Sequence, residues 1–145
     1  MKTTIIGLLL LATASVNAQE KAQTYQLADA PRYSEETGYG YDLVATPEKG
    51  SKAPFFFSVR VPDGNYQVTV RLGSKKQAGV TTVRGESRRL FIDNLATKKG
   101  QFVDETFIIN KRNPRISEKE SVRIKPREKA KLNWDDKLTL EFNGD

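Results

Sequence analysis

The feature of this sequence that most restricts its fold is a two-residue alternation of apolar and polar side chains between residues 55 and 72. Successive side chains of a β-strand point to opposite faces, so this pattern predicts strands and not amphipathic helices. The apolar positions fall into two sets, which are Phe55, Phe57, Val59 and Val61, then Tyr66, Val68, Val70 and Leu72. Pro62, Asp63, Gly64 and Asn65 separate the sets, which predicts two strands joined by a hairpin turn.

The rest of the chain predicts further short strands bounded by Gly, Pro, Asn or Lys-rich turns. The segments are 39–44, 80–84, 89–92, 102–109, 122–125 and 138–142, with an edge strand around 25–27 before a turn at 38–41. No long helical periodicity is present. This spacing predicts an all-β fold, an antiparallel two-sheet β-sandwich of the jelly-roll type, in preference to a closed barrel or an immunoglobulin-type domain without its cysteines. The glycine-bounded loop 73–79 joins two strands and opens no helix, which excludes a phosphate-binding loop.

The N-terminus has the organisation of a secretory signal peptide. Lys2 precedes an apolar run at 5–14, and small residues follow up to Ala18. The run is shorter than the roughly 20 residues that a membrane-spanning helix needs. Because Gln19 and not Cys follows, a lipoprotein anchor is excluded. We therefore expect residues 1–18 to be a signal peptide and 19–145 to be one domain, secreted or periplasmic in a bacterium and without a membrane anchor after cleavage.

The sequence contains no His and no Cys. This composition excludes a Ser-His-Asp triad, a thiol nucleophile, a zinc site with His or Cys ligands and disulfide bonds. The chain is therefore expected to have no catalytic residues and to require no cofactor.

Positive charge is concentrated in residues 111–131, which contain nine Lys or Arg and three Glu. Such a segment either binds an anionic polysaccharide, through residues such as Lys125 and Arg127, or forms an ordinary solvated face. Nucleic acid is not an expected partner, because the protein is exported and lacks the aromatic-basic motifs of RNA or single-strand binding domains.

Aromatic and arginine side chains supply the other candidates for carbohydrate binding. Tyr39 and Tyr41 flank Gly40 in a turn-like stretch, and Trp134 precedes the last strand. Planar rings at loops stack on the apolar faces of sugars, although large aromatic residues are more often buried in the core. Arg84 and Arg88 have two interpretations: they clamp a uronate carboxylate, or they pair with neighbouring acids.

Asp135 and Asp136 are the candidate metal ligands. Carboxylate oxygens suit Ca²⁺, which takes six to eight oxygen ligands, but acids ahead of a strand also occur as turn residues. Adjacent residues on an extended chain point to opposite faces, so this pair is not suited to act as the two carboxyls of a glycosidase.

Three segments together resemble the N-terminal domain of bacterial rhamnogalacturonan acetylesterases: PFFFSVRVPDGNYQVTVRLG at 54–73, AGVTTVRGESRRLFIDNL at 78–95 and VRIKPREKAKLNWDDKLTLEFNGD at 122–145. The resemblance implies a galactose-binding-like β-sandwich that precedes an SGNH-type hydrolase domain, which removes acetyl groups from pectic rhamnogalacturonan. The Gly-Asp-Ser nucleophile block of that hydrolase and its histidine are absent from this sequence. No catalytic residue is therefore carried over.

We accordingly expect a non-catalytic accessory domain, truncated before the hydrolase, that binds pectic polysaccharide or docks against the following hydrolase domain. Two alternatives stay open. In the first, the polypeptide belongs to the carbohydrate esterase itself, and the catalytic residues lie beyond Asp145. In the second, it is a stand-alone surface or adhesive domain.

Overall fold

The computed structural model describes residues 22–43, 54–86, 88–126 and 134–144. The expected signal peptide lies outside the described residues. Within them the chain forms seven strands and one 3₁₀ turn, η1 (Leu27–Asp29). The strands are β1 (Tyr39–Asp42), β2 (Phe55–Arg60), β3 (Gly64–Gly73), β4 (Gly79–Gly85), β5 (Arg89–Thr97), β6 (Phe102–Lys111) and β7 (Lys137–Gly144).

The strands form two antiparallel sheets, in the orders β1-β2-β7-β4-β5 and β3-β6. Three of the pairings are nested along the chain: β2 pairs with β7, β3 with β6 and β4 with β5. This is the arrangement of a long hairpin rolled into two layers, as in a jelly roll. The predicted all-β, two-sheet sandwich is confirmed.

The predicted hairpin between the first two alternating segments is wrong. β2 pairs with β1 and β7, whereas β3 pairs with β6 in the other sheet. The connection at 61–63 carries the chain from one sheet to the other. Two contacts hold it in place: the Val61 N–H donates to the Asp136 carbonyl at 3.3 Å, and Lys111 pairs with Asp63 at 2.8 Å. Alternation determines which face of a strand is buried, but not which strand lies beside it.

The core lies between the sheets and is centred on β7, which has a strand on each side. Ten hydrophobic residues are buried there: Tyr41, Phe57, Val70, Leu72, Val83, Ile92, Ile109, Leu138, Leu140 and Phe142. Val83 and Ile109 are completely buried. Both sheets contribute residues to this core. The buried residues of β3 and β6 identify the inner face of one sheet, and those of β4 and β7 identify the inner face of the other.

The N-terminal segment covers the β1 side of the core. The prediction of an edge strand at 25–27 is wrong, because these residues form no strand. The Tyr25 ring packs 4.9 Å from that of Tyr39, and the Tyr41 hydroxyl donates to the Leu27 carbonyl at 2.6 Å. Further along, the Tyr41 N–H donates to the Pro31 carbonyl at 2.8 Å. A Cβ at Gly40 would overlap this backbone, so the close approach requires glycine.

The strand predicted at 39–44 is confirmed as β1 over the described residues 39–42, with both tyrosines facing the core. The turn predicted at 38–41 is wrong, because the turn lies just before the strand, at 35–37. The strand predicted at 122–125 is also wrong. Residues 122–125 form no strand; nearby, an isolated bridge joins Arg115 to Ser121. The short alternation of Val122 and Ile124 with basic residues ends at a proline and supplies too little buried surface to hold a strand. The loop between β3 and β4 joins two strands, as predicted.

Candidate functional site

The outer face of the five-stranded sheet is polar. Leu140 and Phe142 of β7 point into the core, so Glu141 and Asn143 point outward. Across the β4–β7 ladder, Arg84 is opposite Glu141 and Thr82 is opposite Asn143. The two central strands thus present four polar side chains side by side on a rigid surface.

A β-bulge widens this surface at the neighbouring strand. Thr81 pairs with Leu95 and Val83 pairs with Ile92, so Thr82 faces two residues of β5, Asp93 and Asn94. Asn94 has a positive φ of 48°, a conformation that asparagine tolerates better than most residues. The Asn94 N–H donates to the Thr82 hydroxyl at 3.1 Å, and the Asn94 side-chain amide donates to Asp93 at 2.8 Å. Bulges of this kind re-aim side chains beside functional sites.

A shallow open cleft of about 390 Å³ results at this end of the sheet. Its lining residues are Val80, Thr82, Arg84, Asp93, Asn94, Asn143 and Gly144. The Arg84 guanidinium donates to the Glu141 carboxylate at 3.2 Å, with the arginine side chain 38% exposed and the glutamate 18%. Among the described residues, the Asn143 side chain has no hydrogen-bonding partner, so its amide is available to a ligand.

One aromatic ring lies on the same outer face. Phe57 is buried in the core, so its neighbour Phe56 points the other way, and Phe56 is paired with Glu141 across the β2–β7 ladder. Its side chain is half-buried. Because neighbouring strands are about 4.8 Å apart, Phe56 lies roughly two strand spacings from Arg84. The face therefore offers an apolar ring beside the polar cleft.

The other end of the same face is closed by an internal network. Asp42 accepts hydrogen bonds from Lys137 at 2.6 Å and from Ser58 at 2.9 Å. Burial opposes ionisation of Asp42, but these hydrogen bonds hold its pKa below the ordinary value. Burial also acts to lower the pKa of Lys137, but its hydrogen bond to Asp42 and the negative charge of Asp42 raise it above the ordinary value. The Tyr33 ring covers the Lys137 ammonium group at 4.7 Å. This covered ion pair ties β1 to β7 and is not an open site.

A second buried polar group lies where β4 ends. Glu86 is 6% exposed, its N–H donates to the Thr139 carbonyl at 3.0 Å, and its carboxyl accepts from the Thr139 N–H at 3.0 Å. Burial, and then the negative charge of Asp135, raise the pKa of Glu86 to about 7, with the bond from Thr139 acting the other way. The Glu86 side chain thus accepts the hydrogen bond from a backbone N–H of β7 that lies just beyond the end of β4.

The two tyrosines proposed for sugar stacking face the interior. Tyr41 is 6% exposed, and its ring meets Phe57 edge-on at 5.9 Å. Tyr39 is half-buried, 6.5 Å from the same ring. Both therefore hold the N-terminal segment to the core and lie away from the cleft.

The basic candidates are dispersed. Arg84 lines the cleft, whereas Arg88 is exposed in the turn after Glu86, where its N–H donates to the Glu86 carbonyl at 3.1 Å. Lys125 is exposed on the loop that follows β6. Arg127 lies outside the described residues.

Trp134, Asp135 and Asp136 lie together just before β7. The Trp134 ring is half-buried, and the Arg112 guanidinium lies 4.5 Å above its centre. Asp135 is half-buried, with its pKa raised first by burial, and it accepts a hydrogen bond from the Lys137 N–H at 3.0 Å. Asp136 is exposed. Within the described ranges no three acidic residues are grouped as a metal site would require, and calcium binding stays a prediction.

Sequence reasoning found Arg84 but missed the other cleft residues. Two signals were present. Asp93-Asn94 interrupts an otherwise apolar strand, and Phe56, which lies outside the cleft on the same face, is an aromatic residue at the polar position of an alternating strand. The pairing of Thr82 with Asn143 was not accessible, because it depends on the sheet order.

In the part of the chain that the structure describes, no helix has the length and apolar character to span a bilayer. Comparison of the chain with protein-family models, with curated proteins and with solved structures gives no match.

Proposed function

We propose that this chain is a non-catalytic carbohydrate-binding domain, the accessory sandwich of an exported pectin acetylesterase that acts on rhamnogalacturonan. The observation that carries the carbohydrate-binding part is the polar cleft on the outer sheet face around Arg84 and Asn143. The lineage is supported by the resemblance of segments 54–73, 78–95 and 122–145 to that esterase family.

The chemistry of the cleft suits sugar hydroxyls. Carboxylate, amide, guanidinium and hydroxyl groups are all present in a small area: Asp93, Asn94, Asn143, Arg84 and Thr82. Each sugar hydroxyl donates and accepts hydrogen bonds, so a mixed set of fixed partners recognises neighbouring hydroxyls on one ring. The bulge and the central strands hold these groups in place before binding, which lowers the entropy cost of association.

Phe56 supplies the apolar part of the site. The outer sheet face presents its ring beside Glu141, at a distance that a chain of two or three sugar units spans. Aromatic rings stack on the C–H face of a pyranose while polar groups bind its edge. Binding without turnover follows from the composition, because the sequence has no His or Cys to activate a nucleophile.

The test is calorimetric or NMR titration of the domain with rhamnogalacturonan fragments. We expect weak binding, with chemical-shift changes at the cleft, and a loss of about ten-fold when Asn143→Ala removes one hydrogen-bonding partner, which corresponds to about 1.4 kcal/mol. Gln67→Ala is the matched control, since it removes an exposed amide from the outer face of the other sheet.

Absence of binding to any pectic fragment by the folded domain would contradict carbohydrate recognition. A domain that docks against a hydrolase would then be the better description. Equal losses for Asn143→Ala and Gln67→Ala would instead contradict the assignment of the cleft.

A further inference from the structure

Two neighbouring loops bring four lysines to one end of the sandwich. Loop 74–78 joins β3 to β4 and loop 98–101 joins β5 to β6, so both loops cross between the two sheets. They cross at the same end of the molecule, because the β3–β6 and β4–β5 ladders both extend up to these loops. We call these residues the lysine cluster: Lys75, Lys76, Lys98 and Lys99.

Backbone contacts hold the two loops side by side. The Gly100 N–H donates to the Ser74 carbonyl at 2.8 Å, and the Lys98 N–H donates to the Gln101 side-chain oxygen at 2.9 Å. A Cβ at Gly73 would overlap the Gln101 carbonyl oxygen, so the chain enters one loop and leaves the other in close contact. The loop backbone is therefore arranged before binding, which lowers the entropy cost of association.

The lysine cluster has no internal counter-charge within the described ranges. Its four side chains are exposed, and none of them has an ion pair or a hydrogen bond there. Segments 72–80 and 95–103 contain no Asp or Glu. The ammonium groups are therefore available to an anionic ligand.

The excess of positive charge persists when the neighbouring groups are counted. Beside the four lysines, the charged groups at this end are Arg71, Arg84, Asp93, Asp104, Glu105 and Glu141. The two arginines pair with two of the carboxylates, at 3.7 Å and 3.2 Å. Six positive groups thus stand against four negative ones, which leaves an excess of two positive charges.

The lysine cluster adjoins the cleft. Val80 lines the cleft and lies four residues from Lys76, which an extended chain covers in at most about 14 Å. Lys98 follows Thr97, whose partner across the ladder is Gly79, the neighbour of Val80. A glycan that leaves the cleft at this end of the sheet therefore comes within reach of the ammonium groups.

We propose that the lysine cluster binds the carboxylates of a uronate-containing glycan whose neutral units occupy the cleft. This inference rests on the proposed carbohydrate-binding function and specifies its ligand class. A glycan that alternates neutral and uronate units fits both surfaces. Its hydroxyl groups meet the mixed polar partners of the cleft, and its carboxylates meet ammonium groups that form charge-assisted hydrogen bonds.

Coulomb's law gives the size of the effect. One lysine about 7 Å from a ligand carboxylate, at the dielectric constant of water, strengthens binding about two- to three-fold. Two such contacts, one from each loop, give about four- to nine-fold at about 0.01 M salt, where the Debye length is about 30 Å. The gain must fall below about two-fold at about 1 M salt, because the Debye length is then about 3 Å.

The experiment titrates the full chain with a rhamnogalacturonan hexasaccharide and with the same hexasaccharide after reduction of its galacturonate carboxyls to galactose. The two ligands differ only at the carboxyl groups. We expect the uronate form to bind about five-fold more tightly at about 0.01 M salt, and the preference to fall below about two-fold at about 1 M.

Two variants locate the contact. The cluster variant replaces all four lysines by glutamine and should lose the preference at low salt, while its affinity for the reduced ligand changes by less than about two-fold. The control variant removes four exposed positive charges elsewhere, three of them in the basic segment 111–131, which begins at the other end of β6: Arg32→Gln, Arg115→Gln, Lys119→Gln and Arg123→Gln. The control variant should keep the preference.

The outcomes separate the inference from the function on which it rests. Equal binding of the two ligands by the wild type at low salt would overturn the inference and leave carbohydrate recognition standing. A cluster variant that keeps the preference, or a control variant that loses it to the same extent, would also overturn it. Cluster-dependent binding to anionic phospholipid vesicles, without a preference between the hexasaccharides, would assign the lysines to a membrane surface instead. Failure of both hexasaccharides to bind would overturn the inference together with the proposed function.

Discussion

Replacing Glu86 by glutamine is expected to stabilise the protein at alkaline pH and to leave its stability nearly unchanged at pH 5. Glu86 is 6% exposed, and its pKa is raised from 4.5 to about 7, mainly by burial and then by Asp135. Between these two pH values the folded protein retains a proton that the unfolded chain has released. Unfolding then releases a proton, so a rise in pH favours the unfolded state.

The size of the effect follows from the width of that window. About 2.5 pH units at about 1.4 kcal/mol each amount to roughly 3 kcal/mol of stability that is present below pH 4.5 and lost by pH 7. The glutamine side chain of the variant would keep the bond from the Thr139 N–H through its amide oxygen and would carry no charge. Glu86→Gln should therefore gain up to about 3 kcal/mol at pH 8, a rise in Tm on the order of 10 °C.

The assay is urea unfolding of both proteins at several pH values from 5 to 8, with stability differences taken at each. Two further variants check the cause. Glu118→Gln, at an exposed carboxylate, should give no pH-dependent gain. Asp135→Asn removes the nearby negative charge and should lower the pKa of Glu86, which narrows the pH window above 4.5 and reduces the stability lost across it. A constant difference between Glu86→Gln and wild type from pH 5 to 8 would refute the reasoning.

Three other measurements test the packing and the chemistry. Gly85→Ala should lower the free energy of unfolding by about 1–3 kcal/mol in urea unfolding, because the added methyl group would lie 2.9 Å from the Phe91 ring. Gly64→Ala, with no atom nearer than 3.8 Å to the added methyl group, should be close to neutral. Equal losses for the two variants would contradict this reasoning. Arg112→Ala should destabilise by about 0.5–1 kcal/mol and alter the fluorescence of Trp134, the one tryptophan of the chain; an unchanged emission spectrum would argue against their contact. Purified protein should not hydrolyse acetyl esters, and turnover abolished by a single Ser substitution would disprove a purely binding role.

The sequence predicts where the strands of this fold lie much better than which strands pair with each other. Strands are predicted at the positions of all seven, although β5 continues to Thr97, beyond the predicted segment 89–92. Periodicity locates them because one face of each strand packs on the core. The same periodicity placed β2 beside β3 by assuming a hairpin, although the chain crosses between sheets there. Sheet order depends on how the two faces pack against each other, and side-chain alternation contains no information about that choice.

The same limit applies to the candidate site, and it explains why Arg84 alone was found. Arg84 is conspicuous in the sequence as a charged residue in a strand, but its partner Glu141 lies 57 positions away, and the bulge beside it depends on how β4 pairs with β5. The sequence left open that this arginine clamps a uronate, since a guanidinium taken alone attracts carboxylates. In the structure the Arg84 guanidinium donates to the Glu141 carboxylate at 3.2 Å, which corresponds to the other interpretation, pairing with a neighbouring acid. The partners of Arg84 are therefore determined by the sheet order, which side-chain alternation does not specify.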